Sequence, residues 1–196
     1  FRVTGIASAA DAQQDHVELD RRAIAPSLTW DMTDDTSVTL LAYLQRDPEG
    51  GYHSGLPYEG TVESRNGQKI DNTFFEGEPD YDLFRRDMTM VGYDLEHRIN
   101  RNWSALQKAR YLDSDVELKQ VYAYGWASAT ELNRYYSGGD EDLQALTVDN
   151  QIQGELTTGA VDHTVLVGVD YQQRGNGVVW PSGAFPAIDA FNPEYG

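Results

Sequence analysis

The stretch GYDLEHRINRNWSALQKARY, Gly92 to Tyr111, decides how the rest of the chain is read. It alternates with a period of two and doubles back at Asn100–Asn102, the pattern of an antiparallel hairpin. On the first arm Val91, Tyr93, Leu95 and Ile99 share one face, interrupted by His97, and Gly92, Asp94, Glu96 and Arg98 share the other. On the second arm Trp103, Ala105, Ala109 and Tyr111 lie together, opposite Lys108 and Arg110. A soluble barrel or sandwich encloses its apolar face. Alternation alone does not say which face is enclosed, but charge this dense suits a wide, wet interior with lipid on the apolar side.

The same alternation recurs along the chain. Phe1–Ala9 opens it, and Arg22–Trp30 sets Ile24, Pro26, Leu28 and Trp30 on one face. Ser37–Arg46 groups Val38, Leu40, Ala42 and Leu44; the segment from Leu146 to Leu156 groups Leu146, Val148, Ile152 and Leu156; His163–Gln172 groups Val165, Val167, Val169 and Tyr171. With the hairpin these make seven principal strands, plus an extension through Leu118–Trp126. The connections DMTDDTS, INRNW and TTGAVD are short. Those at Asp47–Asp87, at Asp113–Asp142 and after Gly175 read as long polar loops, with a shorter link at Ala12–Glu18 on their side. One neat end and one looped end, with Trp30 and Trp103 beside short turns as an aromatic girdle, is the arrangement of an outer-membrane barrel. The expected fold is therefore all-β, an antiparallel transmembrane β-barrel of which seven or eight strands are present. Pro26, which lacks a ladder donor, and Gln107, on the apolar face, run against it. A half-exposed antiparallel sheet of a soluble protein is the plainer alternative.

Composition narrows the function. The 196 residues carry a formal charge of −17, which disfavours nucleic acid because phosphate contact needs Lys/Arg patches. Mean hydropathy is −0.57 and no apolar run approaches a helical span. Cysteine is absent, so disulfides and thiolate chemistry are excluded. His16, His53, His97 and His163 are scattered without ligand spacing, and the acidic clusters DMTDDTS and GGDEDLQ match no calcium loop, so no metal site is expected. Asp162–His163 has no nucleophile motif beside it. Both termini read as interior to a longer chain.

At RRAIAPSLTW (Arg21–Trp30) and LLAYLQRDPEGGYHSGLPYEGTVESRNGQKIDNTFFEGEPDYD (Leu40–Asp82) the sequence resembles TonB-dependent siderophore receptors of the outer membrane, within them the ferrichrome-type, hydroxamate group. The resemblance continues through MVGYDLEHRIN, QVYAYGW, LQALTVDNQIQGEL, DHTVLVGVDYQ and AFNPEYG, nearly the whole chain. It implies a 22-stranded barrel plugged by an N-terminal domain. Residues 1–196 would be part of that barrel, with plug, TonB box and C-terminal closing strands outside them. It also implies a transporter and no enzyme: a ferric hydroxamate siderophore binds and is imported at the expense of energy relayed by TonB. Iron then arrives already chelated, no intrinsic cofactor is needed, and the partners are the ferric siderophore, TonB and outer-membrane lipid.

Rigid aromatic rings with polar tips suit such a ligand. Tyr122 and Tyr124 are two apart and share a face, Trp126 continues the row, and the resemblance puts the two tyrosines at the ligand. In GGYHSGLP, Tyr52 is retained while His53 and Gly55 stand where the family offers aromatics; His53 would make binding pH-sensitive. Trp180 and Phe185 in VVWPSGAFP complete the candidates. The alternatives are a passive porin, or a soluble carbohydrate-binding or hydrolase domain using a carboxylate pair such as Asp94 and Glu96.

Overall fold

The computed structural model describes residues 1–51 and 55–196. Eight strands form one antiparallel sheet: β1 (Arg2–Asp11), β2 (Glu18–Thr33), β3 (Thr36–Gly50), β4 (Leu83–Arg98), β5 (Trp103–Trp126), β6 (Glu131–Thr158), β7 (Val161–Val179) and β8 (Ser182–Asp189). A tight turn at Tyr58–Thr61, with Gly60 at φ +102°, lies between β3 and β4. From β1 to β7 each strand pairs with its neighbour in sequence, and β8 pairs with β6. The β2–β3, β4–β5 and β6–β7 turns share one end of the sheet, and the long connections share the other.

Register carries the faces across the sheet. Leu28, Leu40, Tyr93, Ala109, Val148 and Tyr171 form one cross-strand row, and Trp30, Val38, Leu95, Gln107, Asn150 and Val169 form the next. The band runs on β5 from Trp103 to Tyr111, nine residues, matching the 9–11 that a tilted strand needs to cross hydrocarbon. Its side chains are bare: Leu40 is 51% exposed, Val167 64% and Val169 70%. A single-layer sheet with so large an apolar surface is stable only where lipid covers it.

Both residues that run against the barrel are accommodated. Ala25 and Pro26 make no pairing to β3, yet Ile24↔Leu44 and Ser27↔Leu41 on either side keep the same register, so the missing donor interrupts the ladder without shifting it. Gln107 accepts a hydrogen bond from the Tyr93 hydroxyl at 2.7 Å and donates to Asn150 Oδ1 at 2.6 Å. Its amide is satisfied along the wall, which hydrocarbon demands.

Two expected loops are strand instead. β5 and β6 stay paired without a slip from Trp103↔Gly154 to Ala123↔Arg134, so Asp113–Asp142 is a tall hairpin closed at 127–130. The segment after Gly175 is also strand: β8 keeps on β6 the register of β7, making the two one strand broken at Trp180–Pro181. Pro181 cannot donate to the ladder there, and Gly138–Gly139 lie opposite the break. A Cβ on Gly139 would come within 1.8 Å of the Val179 carbonyl oxygen. The loop expected from Asp47 to Asp87 shrinks to 51–82.

Polarity-sensitive probes attached at Leu40, Val91 and Val167 in the intact protein should report hydrocarbon, and one at Asp94 should report water. Leu40→Arg should cost about 2–4 kcal/mol in unfolding titrations from lipid.

Candidate functional site

Beyond the band the polarity of β5 reverses. Below Tyr111 the inward positions of β5 include Lys108 and Arg110, and the outward ones are apolar apart from Gln107. Above it the outward positions are Asp113, Asp115, Glu117 and Lys119, while the inward ones are Leu112, Ser114, Val116, Leu118, Gln120, Tyr122 and Tyr124. The two tyrosines thus share the face turned to the lumen; their spacing predicts the common face. They meet Tyr135 of β6, directly across from Tyr122. Its ring centroid lies 5.6 Å from that of Tyr122 and 6.4 Å from that of Tyr124, edge-on to both. Trp180 joins this face from the β7–β8 break, its indole nitrogen donating to Ser137 Oγ at 2.7 Å. Sequence reasoning missed Tyr135, although it falls opposite Tyr122 once the hairpin is closed at 127–130.

Trp126 and Phe185 go to the other face. A bulge between Ala123 and Trp126, with Gly125 at φ +138°, adds one residue to β5 and turns Trp126 outward, so it does not continue the row of Tyr122 and Tyr124. There it stacks on Phe191 at 5.9 Å, lies under the Arg65 guanidinium at 4.2 Å and donates to the Glu59 carbonyl at 3.1 Å. Phe185 pairs with Arg134 and sits beside Tyr81, also on the outward face. Both hold the 51–82 connection against the strands, where Ile70, Phe74, Ala123, Leu132, Ile188 and Ala190 form the apolar core. Tyr52 and His53 lie outside the described residues.

The connection is also held by charge. Arg134, 4% exposed, donates to the Gly77 carbonyl at 2.7 Å, to the Pro186 carbonyl at 2.7 Å and to Glu78 at 3.4 Å. Asp82 Oδ1 accepts from the Val121 amide at 2.9 Å and the Glu78 amide at 3.3 Å, while Oδ2 is buried without a partner. Burial, with Glu76 nearby, pushes the Asp82 carboxyl up to about 7, against the pull of the two amides and Arg134. Lower on the inward face, beyond the apolar band, Asp47 is 2% exposed. Burial would raise its pKa, but hydrogen bonds from Arg21, Arg86 and Gln45 outweigh this and hold it below the usual range.

The other acid–base candidates dissolve. Asp162 and His163 fall on opposite faces of β7; Asp162 accepts from Thr157 and His163 contacts Thr158. Asp94 is bound by Arg110 at 2.7 Å. The turn in DMTDDTS is tied by Arg98 to Asp35 at 2.6 Å, and among the described residues no cluster of three potential ligands could hold a metal ion.

With this geometry in hand, the comparisons with known proteins decide the family. A model described as TonB dependent receptor-like, beta-barrel matches residues 26–196. The chain belongs to that family. Members of this TonB-dependent receptor family are barrels of the bacterial outer membrane, and the bare apolar band is the part of the wall that lies in that membrane. The chain is 55% identical to the ferrioxamine B receptor of Salmonella typhimurium strain SL1344, covering 100% of itself and 28% of that relative. It is 36% identical to the ferrichrome outer membrane transporter/phage receptor of Escherichia coli K12, covering 98% of itself and 29% of that protein. It therefore spans under a third of the length of these relatives. In fold it matches the ferric-catecholate import receptor Fiu of Escherichia coli K12 in its closed form, with a TM-score of 0.83 at 19% identity over 98% of this chain and 30% of that one. The TonB-dependent receptor barrel replaces the soluble-sheet alternative.

Because Asp82 has a docked pKa above its ordinary 3.8, docking of the 51–82 connection is strongest below that value and weakens as pH rises toward about 7. Asp82→Asn should abolish this dependence, worth on the order of 2 kcal/mol after allowance for partial exposure, read as amide exchange at residues 70–82 across pH 4–8. Trp126→Ala should speed exchange in the same segment at every pH, by about 2–4 kcal/mol of lost protection.

Proposed function

We propose that the receptor containing this wall binds ferric hydroxamate siderophores, of the ferrioxamine and ferrichrome kind, and imports them through the barrel with energy delivered by TonB. The observation that carries the reading is the aromatic cluster: Tyr122, Tyr124 and Tyr135 gather on the inward face, above the membrane band. Rings so placed offer flat contact area and phenolic hydrogen bonds to a compact, methylene- and amide-rich chelate, at little conformational cost. Likeness to receptors named for ferrioxamine B and ferrichrome supports the same ligand class. No bond is made or broken in the ligand; the work is binding and gated passage. TonB would act through the plug and TonB box, which the resemblance places outside residues 1–196.

The test is titration of the complete, folded receptor with ferrioxamine B and ferrichrome. Each of Tyr122→Ala and Tyr124→Ala should weaken binding about tenfold, roughly 1.4 kcal/mol, with the barrel still intact. Absence of binding by the unaltered receptor would remove the proposal. Uptake that continues without TonB would favour a passive pore.

A further inference from the structure

We infer that the lipid face of this wall carries a self-association site, centred on Asn150, through which two copies of the receptor pair side by side in the outer membrane. The inference is independent of what the barrel transports. It starts from a hydrogen-bonded chain on that face: the Tyr93 hydroxyl donates to Gln107 at 2.7 Å, and the Gln107 amide donates to Asn150 Oδ1 at 2.6 Å. There the chain stops. Asn150 is exposed, its cross-strand neighbour on β7 is Val169, and its own-strand neighbours on the same face are Val148 and Ile152. Among the described residues nothing meets its Nδ2. Turning both amides over moves the bare group from Nδ2 to Oδ1 and does not remove it.

Hydrocarbon makes such a group costly. Asn150 lies well inside the apolar band, with Val148 and Leu146 beyond it toward the looped end, and Ile152 and Leu156 toward the short turns. Along an extended strand Leu146 is about 13 Å away and Leu156 about 20 Å. Lipid esters and headgroups stay at the interfaces, so no lipid offers a hydrogen bond at this depth. At this height β6 is paired on one side with β5 and on the other with β7, so no further strand of the barrel can reach the amide. Its partner must come from another protein in the membrane.

A second copy supplies that partner. All copies insert in one direction, so two can pair symmetrically only about an axis parallel to the membrane normal. A residue beside that axis meets itself at its own depth. An amide is self-complementary: each Nδ2 donates to the Oδ1 of the other copy, which keeps a second lone pair beside the bond from Gln107.

Shape agrees. Next to Asn150 the short side chain of Ala105 leaves a groove of about 450 Å³ between Leu95, Ile152 and Val167. Val167 and Val169 stand out on the β7 side, 64% and 70% exposed. The two-fold axis turns the β5 side of one copy toward the β7 side of the other, so each valine ridge enters the other copy's groove. Apolar contact brings no hydrophobic gain within lipid; close packing and the amide pair supply the attraction. The pairing is therefore reversible and rises with receptor density.

The experiment labels the complete receptor at a solvent-exposed site with donor or acceptor dye, reconstitutes it in lipid vesicles and follows energy transfer as the protein-to-lipid ratio rises. The unaltered receptor should pass from monomer to dimer. Asn150→Leu should move the midpoint at least fivefold toward higher density with thermal unfolding of the barrel unchanged, and Asn150→Gln should restore most of the pairing. In native outer membranes a photoactivatable cross-linker at Val169 should give receptor dimers, and one at Leu40, four strands away, should not. Energy transfer no greater than chance encounters give, or an Asn150→Leu receptor that pairs unchanged, would overturn the inference. So would cross-linking from Val169 to lipid alone or to a protein of another mass, which would give the groove to that occupant instead.

Discussion

The whole wall depends on a hydrogen-bonded ladder whose register persists even across the gap at Ala25–Pro26. Hydrocarbon offers backbone amides and carbonyls no partner, so each strand must be saturated by its neighbours. Saturation across seven strands fixes register, and register fixes which side chains meet lipid. Rows such as Leu28–Leu40–Tyr93–Ala109–Val148–Tyr171 follow from that constraint. So does the treatment of polar intruders: Gln107 is tolerated among lipid tails because Tyr93 and Asn150 meet its amide within the wall.

The ladder does not end where the lipid does. β5 and β6 carry the same alternation out of the membrane, and with water now on the outside the chemistry of the two faces changes places. On β5 carboxylates take the outer positions at Asp113, Asp115 and Glu117 and rings the inner ones at Tyr122 and Tyr124, so one pairing pattern serves lipid at one height and a chelate at another. The 51–82 connection then closes over the outward side of the tall hairpin through Arg134, Trp126 and the Ile70–Phe74 core.

Much of this was legible in the sequence. The hairpin around Asn100–Asn102, the apolar face of each strand, the seven principal strands that became β1 to β7 and the common face of Tyr122 and Tyr124 all follow from a period of two. What escaped had physical causes. Asp113–Asp142 and the segment beyond Gly175 read as loops because a strand in water on its outer side is as acidic and glycine-rich as a loop. Trp126 was set in the wrong row because Gly125 inserts a residue, and a bulge leaves no trace in simple alternation. Tyr135 was overlooked because it stands beside Tyr136, one ring on each face; only the closed hairpin separates them. Tyr52 and His53 lie outside the described residues, so their part in the site rests on sequence alone.

The bulge at Gly125 also bears on how such walls can change over time. In a sheet where sidedness is counted residue by residue, gaining or losing a single position exchanges the two sides for everything beyond it. Wall height can therefore drift only by even steps, unless an odd residue is absorbed at once by a kink like the one that turns Trp126 from the vestibule to the clasp. Loop-bearing ends can thus diversify freely, whereas the stretch from the short turns to the rim is held to a parity rule that no single substitution can repair.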